Sequence, residues 1–466
     1  MRITLKKLGI LKQAELEIGD LTIICGDNNT GKTYATYALF GFLYSWEKTR
    51  DLEIDSTIID QVLNEGIAHI NIISDFWGNY QNILNTICLD YSKNLSSVFA
   101  ASEDKFKNAD FQIFLDISHQ DILDIELTNE IGSSTTRFFS VIKEPGNSDV
   151  SITLLTKREN VKIPRDIIKK FISDSLKEIL FKKYIPRPFI ASAERTGTAI
   201  FRQELNFARN RLLEEVNQVE REIDRIQLLL KQNYNDYALP IKENVDFTRN
   251  IERIAQKKSQ IIKDSPHLLE EFSDIIGGQY TVTPNGELYF IPQNNNKLRL
   301  TMDGSSSAVR SLLDIGFYLK HIAQKGDMLM IDEPELNLHP ENQRRIARLL
   351  AKLVNYGIKV YITTHSDYII KELNTLIMLN SEKSHIKKIA EAEGYQRDEL
   401  LNPERIRAYV AKIDKIKLDG NKTKTSCNTL VSAEIDPELG IDIKSFDTAI
   451  ETMNRIQDAI IWGGES

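Results

Sequence analysis

The 466-residue chain is short of cysteine and tryptophan and has no long apolar run. Its three cysteines, Cys25, Cys88 and Cys427, are widely separated and show no metal-ligand spacing. That excludes a disulfide framework or a zinc knuckle and fits a reducing compartment. No segment supplies the roughly 20 apolar residues needed to cross a bilayer, so no membrane partner is expected. The opening MRITLKKLGILKQAELEIGD lacks the continuous apolar core of a secretory signal, and a cytoplasmic location is expected. Excess positive charge is missing too. The net charge of −8 argues against a wholly basic surface that coats nucleic acid and leaves a local basic groove open. Internal repeats and low-complexity tracts are absent. What remains is ordinary for a globular protein, 41% hydrophobic and 27% charged, with length for two or three domains.

The first informative stretch is the apolar LTIIC run, 21–25, leading into GDNNTGKT at 26–33. This is the G-x-x-x-x-G-K-[ST] pattern of a phosphate-binding loop. Gly26 and Gly31 permit backbone angles and a close approach that a side chain would block. The amides across Asp27, Asn28, Asn29 and Thr30 and at the following helix N-terminus present positive dipoles to phosphate. Lys32 adds a point charge and Thr33 a hydroxyl for Mg²⁺. The helix that follows carries no charge from Tyr34 to Trp46 and is therefore expected to be buried on most sides.

A second stretch, GDMLMIDEPELNLHPENQ at 326–343, begins as an apolar strand and ends in Asp332 and Glu333. Carboxylates at the tip of a core strand are costly unless a cation or a substrate meets them. In phosphoryl transfer Asp332 would hold Mg²⁺ and Glu333 would polarise the attacking water. A third apolar strand, 358–362, ends in Thr363-Thr364-His365, where His365 can donate to a γ-phosphate or hold the water. Ligands of open α/β sheets bind at the carboxyl ends of strands, so one nucleotide site accounts for all three tips. Ser305, Ser306 and Ser307 precede a helix expected over 308–324; they read either as a plain helix cap or as an anion site. The segment ending in Glu194-Arg195 either brings a charged pair to the nucleotide edge or forms a structural ion pair on a connector.

Elsewhere, 47–105 reads as mostly helical. FQIFLDI, ILDIELT, TRFFSVI and VSITLLT, between 111 and 156, read as an antiparallel meander with a hairpin at 145–148. An amphipathic helix is expected over 165–182 and a longer one over 203–232, with a polar return helix at about 247–263. QYTVTP, ELYFIP and KLRLTM read as strands, and 440–460 ends in an amphipathic helix.

Taken together, these motifs resemble the ATP-binding-cassette class of P-loop ATPases, in the soluble branch of RecF, Rad50, SMC and the overcoming-lysogenization-defect proteins. GDNNTGKT is similar to its Walker A, DGSSSAVRSL to its signature loop, MLMIDEPELNLHP to Walker B and the D-loop, and TTHSDYII to its switch histidine. DEPELNLHP and IPRPFIASAERTG are especially similar to ATPase subunits of bacterial anti-phage systems such as Septu and PARIS. The resemblance implies an α/β fold: an ABC-type ATPase head with an antiparallel β subdomain, a short helical or coiled-coil insertion and a small C-terminal α/β segment. The corresponding domains are 1–200 and 278–380 for the two parts of the head, 201–277 for the insertion and 381–466 for the C-terminal region. It also implies ATP and Mg²⁺ as ligands. Glu333 would be the base, His365 the switch, and Thr33 and Asp332 the metal ligands. Residues 26–33 would bind phosphate, and Ser305 to Ser307 would act in trans in a homodimer or higher homo-oligomer. Asn337 and His339 match the D-loop region. The expected role is a nucleotide-gated switch on a separate effector, a nuclease or toxin, with DNA left open as a further ligand. Direct action on DNA in repair, and nucleotide binding without turnover, are the alternatives.

Overall fold

The computed structural model describes residues 1–132, 136–156, 163–201, 237–421, 423–443 and 452–460. The helix expected over 203–232 lies outside them. Of the C-terminal helix, 452–460 is described, and it is helical and exposed. The chain forms two compact units. The first comprises 1–4, 42–93 and 110–186, and the second 5–41, 94–109 and 187–466.

In the first unit an antiparallel sheet runs in the order Ile67–Asn71, Asp149–Leu154, Arg137–Lys143, Leu127–Gly132. TRFFSVI and VSITLLT pair as the expected hairpin, with Gly146 at φ 77 in the connection. The meander differs from expectation at both ends. FQIFLDI contributes the strand Asp110–Phe114, which is not part of this sheet. ILDIELT starts inside a short helix, His119–Leu123, because Ser118 and Asp121 form a reciprocal capping box. The sheet's outer strand is instead Ile67–Asn71, from a stretch read as helical. Only Ala68 and Ile70 are buried along it, and an alternation of two residues is too short to stand out from its helical neighbours. The helix Arg165–Phe181 forms as expected, burying Ile168, Ile172, Leu176 and Leu180.

The second unit is built on a mixed sheet. Its strands lie side by side in the order Leu11–Glu17, Lys424–Ser432, Ile406–Lys417, Leu21–Gly26, Lys359–Thr364, Met328–Asp332, Pro188–Ala191. The last four, with Ile406–Lys417, run parallel. Every residue of Leu21–Gly26 and Met328–Asp332 is buried, which is why these strands read as continuous apolar runs rather than alternating ones. At their amino ends Arg187 forks onto Asp327, with bonds of 3.0 and 2.7 Å to the two carboxylate oxygens. The C-terminal region expected over 381–466 is part of this sheet. Its strand Ile406–Lys417 lies directly against Leu21–Gly26.

Tertiary packing overrides two helix expectations in this unit. The helix at 247–263 is instead three short helices, Leu239–Arg249, Ile251–Ile254 and Ile261–Asp264. Asn250 ends the first, and its side-chain amide donates to Asp246 O at 2.6 Å. The breaks let Val245, Ile251, Ile254 and Ile261 all turn inward. The helix at 308–324 is divided at Leu312 into Ser307–Ser311 and Leu313–His321. QYTVTP and ELYFIP form a hairpin, whereas KLRLTM contributes a single bridge, Leu300 to Phe290.

The close packing of Ile406–Lys417 explains the first glycine of the phosphate loop. Gly26 has φ 127, and a Cβ there would lie 2.3 Å from the Ala411 carbonyl oxygen. Backbone cannot yield as a flexible side chain can. Gly26→Ala is therefore expected to destabilise the protein by about 2–3 kcal/mol or more and to lower the melting temperature by several degrees. A variant that melts with the wild type would show that the two strands can part at no cost.

Candidate functional site

Strand register decides what gathers at the carboxyl edge of the sheet. Ile24 pairs with Thr363 and Cys25 with Thr364, Asp332 pairs with Thr363, and Ala191 pairs with Ile331. Four parallel strands thus end at one level. Beyond their ends lie the loop 26–33, the acids Asp332 and Glu333, His365, and the turn 192–195. The three tips expected to meet do meet, and 192–195 joins them.

The helix Lys32–Ser45 starts within the phosphate loop. Lys32 is 7% exposed, and its Nζ donates to the carbonyls of Gly26 (2.9 Å) and Asp27 (2.8 Å). Burial lowers its pKa, while Asp332 and Glu333 are near enough to oppose the shift. Thr30 Oγ1 donates to Asp27 O at 2.7 Å. Asn29 adopts φ 59, a left-handed conformation that asparagine tolerates better than most residues. Gly31 has φ 109, and a Cβ there would lie 2.5 Å from a Leu11 methyl. Thr33 is exposed, at the helix end where amides and dipole favour an anion.

Asp332 is 5% exposed and accepts a hydrogen bond from Thr363 Oγ1. Burial raises its pKa, and the neighbouring acids Glu333 and Glu194 add to the rise. Glu333 has φ 53, a left-handed backbone at a strand tip that costs of order 1–3 kcal/mol for a residue with a side chain. Its N–H donates to Thr363 O at 3.0 Å. Its Oε1 lies 3.8 Å from His365 Nε2. Burial, and after it the Lys32 charge, lowers the His365 pKa, against smaller opposing effects of Asp332 and Asp27. The imidazole is thereby biased towards its neutral form, able to donate from one nitrogen and accept at the other.

The three serines occupy different positions. Ser305 is 6% exposed, and its hydroxyl donates to Thr301 O at 2.7 Å. Ser306 is the N-cap of Ser307–Ser311 and accepts from Val309 N at 3.3 Å. Ser306 and Ser307 are both exposed. Asn337 is exposed with φ 61, and His339 caps the helix Pro340–Tyr356.

Two residues carry more of the site than their sequence context indicated. Glu335 accepts from His365 N at 2.7 Å and from Thr364 Oγ1 at 2.9 Å, so it fixes the tip that bears the histidine. It stands inside the quoted DEPELNLHP, but no spacing marks it out from the residues around it. Arg195 is wholly buried and donates to four backbone carbonyls. Glu194 accepts from the Tyr37 hydroxyl at 3.3 Å. The segment therefore divides its roles, with Glu194 near Asp332 and Arg195 underneath the acidic turn.

Comparison with known proteins agrees with this geometry. Residues 1–370 match the AAA ATPase domain. The chain belongs to the AAA ATPase domain family. The matched span takes in the loop 26–33, the acidic strand tip Asp332–Glu333 and His365. No curated protein matches it. Among solved structures it is similar to an SMC head bound to the C-winged helix domain of ScpA, at 13% identity and a TM-score of 0.34, covering 93% of this chain and 97% of that one. It is also similar to the SMC head domain from Thermotoga maritima, at 10% identity and 0.29, covering 93% and 98%. A third similar structure is the Smc head domain derived from Pyrococcus furiosus, at 13% and 0.30, covering 98% of each chain. These scores assign no role to any residue of this AAA ATPase domain. No helix among its described residues is long and apolar enough to cross a membrane.

Proposed function

We propose that this AAA ATPase domain protein hydrolyses ATP with Mg²⁺ and works as a nucleotide-gated switch between separate and paired subunits. The observation that carries the reading is the strand edge at which Lys32, Asp332, Glu333 and His365 converge, with Glu333 held in an unfavourable backbone conformation. Such strain persists where the surroundings fix it, and it is concentrated at functional sites.

The residues fit a metal and nucleotide. Asp332 is a buried carboxylate without a cationic hydrogen-bond partner of its own, Thr33 offers an exposed hydroxyl, and the loop glycines leave no room for a side chain. No cluster of three or more His, Cys, Asp or Glu that could hold a metal occurs among the described residues. That suits Mg²⁺, which takes one or two carboxylates and the substrate's phosphates rather than a cage of protein ligands. When bound through Asp332 and Thr33, Mg²⁺ neutralises charge on the phosphates. Lys32 and the loop amides orient the phosphates. Glu333 accepts the proton of the attacking water, and His365, biased towards neutral, positions it. Asp27 to Thr30 shape the loop through their backbone and through the Thr30 hydroxyl on Asp27 O.

The exposed Ser306 and Ser307 are the groups able to reach the nucleotide of a second copy, while Ser305 braces the loop from within. Nucleotide held between two subunits makes contacts only in the paired state, so ATP favours pairing and hydrolysis removes it. The resemblance of DEPELNLHP and IPRPFIASAERTG to anti-phage ATPase subunits supports a separate nuclease or toxin as the effector, in the cytoplasm of a bacterium. The test is mass in solution by light scattering. Mg²⁺ and a non-hydrolysable ATP analogue are expected to shift the protein to at least a dimer, and ADP is not. Identical mass with analogue and ADP defeats the switch.

A further inference from the structure

Arg195 is 1% exposed, and its guanidinium donates to main-chain carbonyls. Nε donates to Ser311 O at 2.7 Å. One terminal nitrogen serves Ser192 O at 2.8 Å and Asp332 O at 2.6 Å, and the other serves Glu333 O at 2.7 Å. Three separate pieces of chain meet on one planar group. They are the turn after Pro188–Ala191, the last residue of the helix Ser307–Ser311, and the two acidic residues at the end of Met328–Asp332. Burying a guanidinium is expensive. Burial pulls its pKa down, and Asp332, Asp314, Glu335 and Glu333 oppose that pull.

The placement explains two features that are otherwise unaccounted for. Left-handed Glu333 needs its carbonyl pinned as well as its amide. Thr363 holds the amide, and Arg195 holds the carbonyl. The helix Ser307–Ser311 has only five residues, too few to stay in place by its own hydrogen bonds. Its far end is fixed twice to the acidic turn, by Arg195 at Ser311 O and by Ser311 Oγ donating to Leu336 O at 3.0 Å. Its near end is gathered by Arg310, whose guanidinium donates to Met302 O at 3.1 Å, to Ser305 O and to Ser307 Oγ at 3.3 Å. A continuous set of bonds therefore runs from the exposed serines to the main-chain carbonyls of Asp332 and Glu333 in the same subunit.

We propose that Arg195 is a positioning residue that makes the serine loop and the Asp332–Glu333 turn move as one unit. This rests on the ATPase reading for its catalytic consequence and on the hydrogen bonds alone for its structural one. In a pair of subunits, the serines of one copy face the nucleotide of the other, while its acids face its own. A rigid link between them makes each site's chemistry depend on the occupancy of its neighbour. Coupling of this kind is a free-energy difference shared by both sites. Lysine replaces the fork only in part, because a single ammonium reaches fewer carbonyls in fixed directions.

The experiment compares wild type, Arg195→Lys and Arg195→Met in amide hydrogen exchange, ATP affinity and turnover. Both variants are expected to keep wild-type exchange in the strands 21–26 and 359–364 and to bind ATP within about threefold of wild type. Exchange at 307–311 and at 333–338 is expected to accelerate together. Turnover is expected to fall about 100-fold in Arg195→Met, the scale of a displacement near 1 Å at a catalytic group, with partial rescue in Arg195→Lys. Where wild type turns over with a sigmoidal dependence on ATP, that dependence becomes hyperbolic in both variants. Acceleration in only one of the two segments, or in neither, overturns the link whatever the turnover does. Global loss of protection in both variants would reduce Arg195 to a folding residue and overturn the proposal as well. A wild-type protein without turnover would defeat the ATPase reading, and the exchange result would still decide the link.

Discussion

Glu333→Gln is expected to lower ATP turnover by about 10²–10⁴-fold, the contribution of a positioned general base, while ATP still binds. The substitution keeps size and polarity and removes only the capacity to accept a proton. The backbone at φ 53 strains glutamine and glutamate alike, so the cost in stability is small. The bonds that fix this residue, from its own N–H to Thr363 O and from Arg195 to its carbonyl, involve no side-chain atom of residue 333. Geometry is therefore preserved and chemistry is lost. A subunit pair that binds ATP and cannot discharge it should accumulate, so light scattering with ATP alone should give for Glu333→Gln the mass that wild type shows with the analogue. Steady-state phosphate release checks the rate. Equal turnover in the two proteins would remove Glu333 from the role of base.

The second large effect is expected at the other end of the site. Lys32→Ala should weaken ATP binding about 100-fold, corresponding to the loss of roughly 3 kcal/mol in charge-assisted hydrogen bonds. The charges of Asp332 and Glu333 act on Lys32, so its loss also removes one positive charge that offsets these acids beside the phosphates. The substitution removes the bonds that Nζ makes across the loop to Gly26 O and Asp27 O and leaves the glycine geometry untouched. A fluorescent nucleotide titration reads the affinity directly. Unchanged affinity would mean that the loop amides alone hold the phosphates.

Much of this site could be read in the chain because its signals are local. The glycines, lysine and threonine of 26–33 fall within eight positions, and each acid or histidine ends an apolar run that only a buried strand would carry. The parallel sheet follows from the same runs. What escaped has a physical reason in each case. Arg195 binds carbonyls, which every residue has, so no residue type at Ser311, Asp332 or Glu333 reports its presence. Glu335 acts through an amide and a hydroxyl on a strand about thirty positions away, a relation set by register and not by spacing. The helices broken at Asn250 and Leu312 kept their apolar residues and lost continuity, because packing against the core outweighs the modest gain from extending a helix. Of the serines, the exposed pair could not be separated from the buried one by composition, since the choice depends on how the loop turns above Thr301.

The position of Leu21–Gly26 has a consequence for how the protein is made. Its sheet neighbours are Lys359–Thr364 on one side and Ile406–Lys417 on the other, so Ile24 waits for Thr363 and Tyr409 to leave the ribosome. At about 10 residues per second that delay is roughly half a minute. Throughout it, an apolar strand with both edges open must avoid pairing with the wrong chain. Contacts this distant in sequence also slow folding once synthesis ends. The loop proposed to hold phosphate is thus made early and seated late, and the strand edge around it is complete only when the C-terminal third of the chain has joined the sheet.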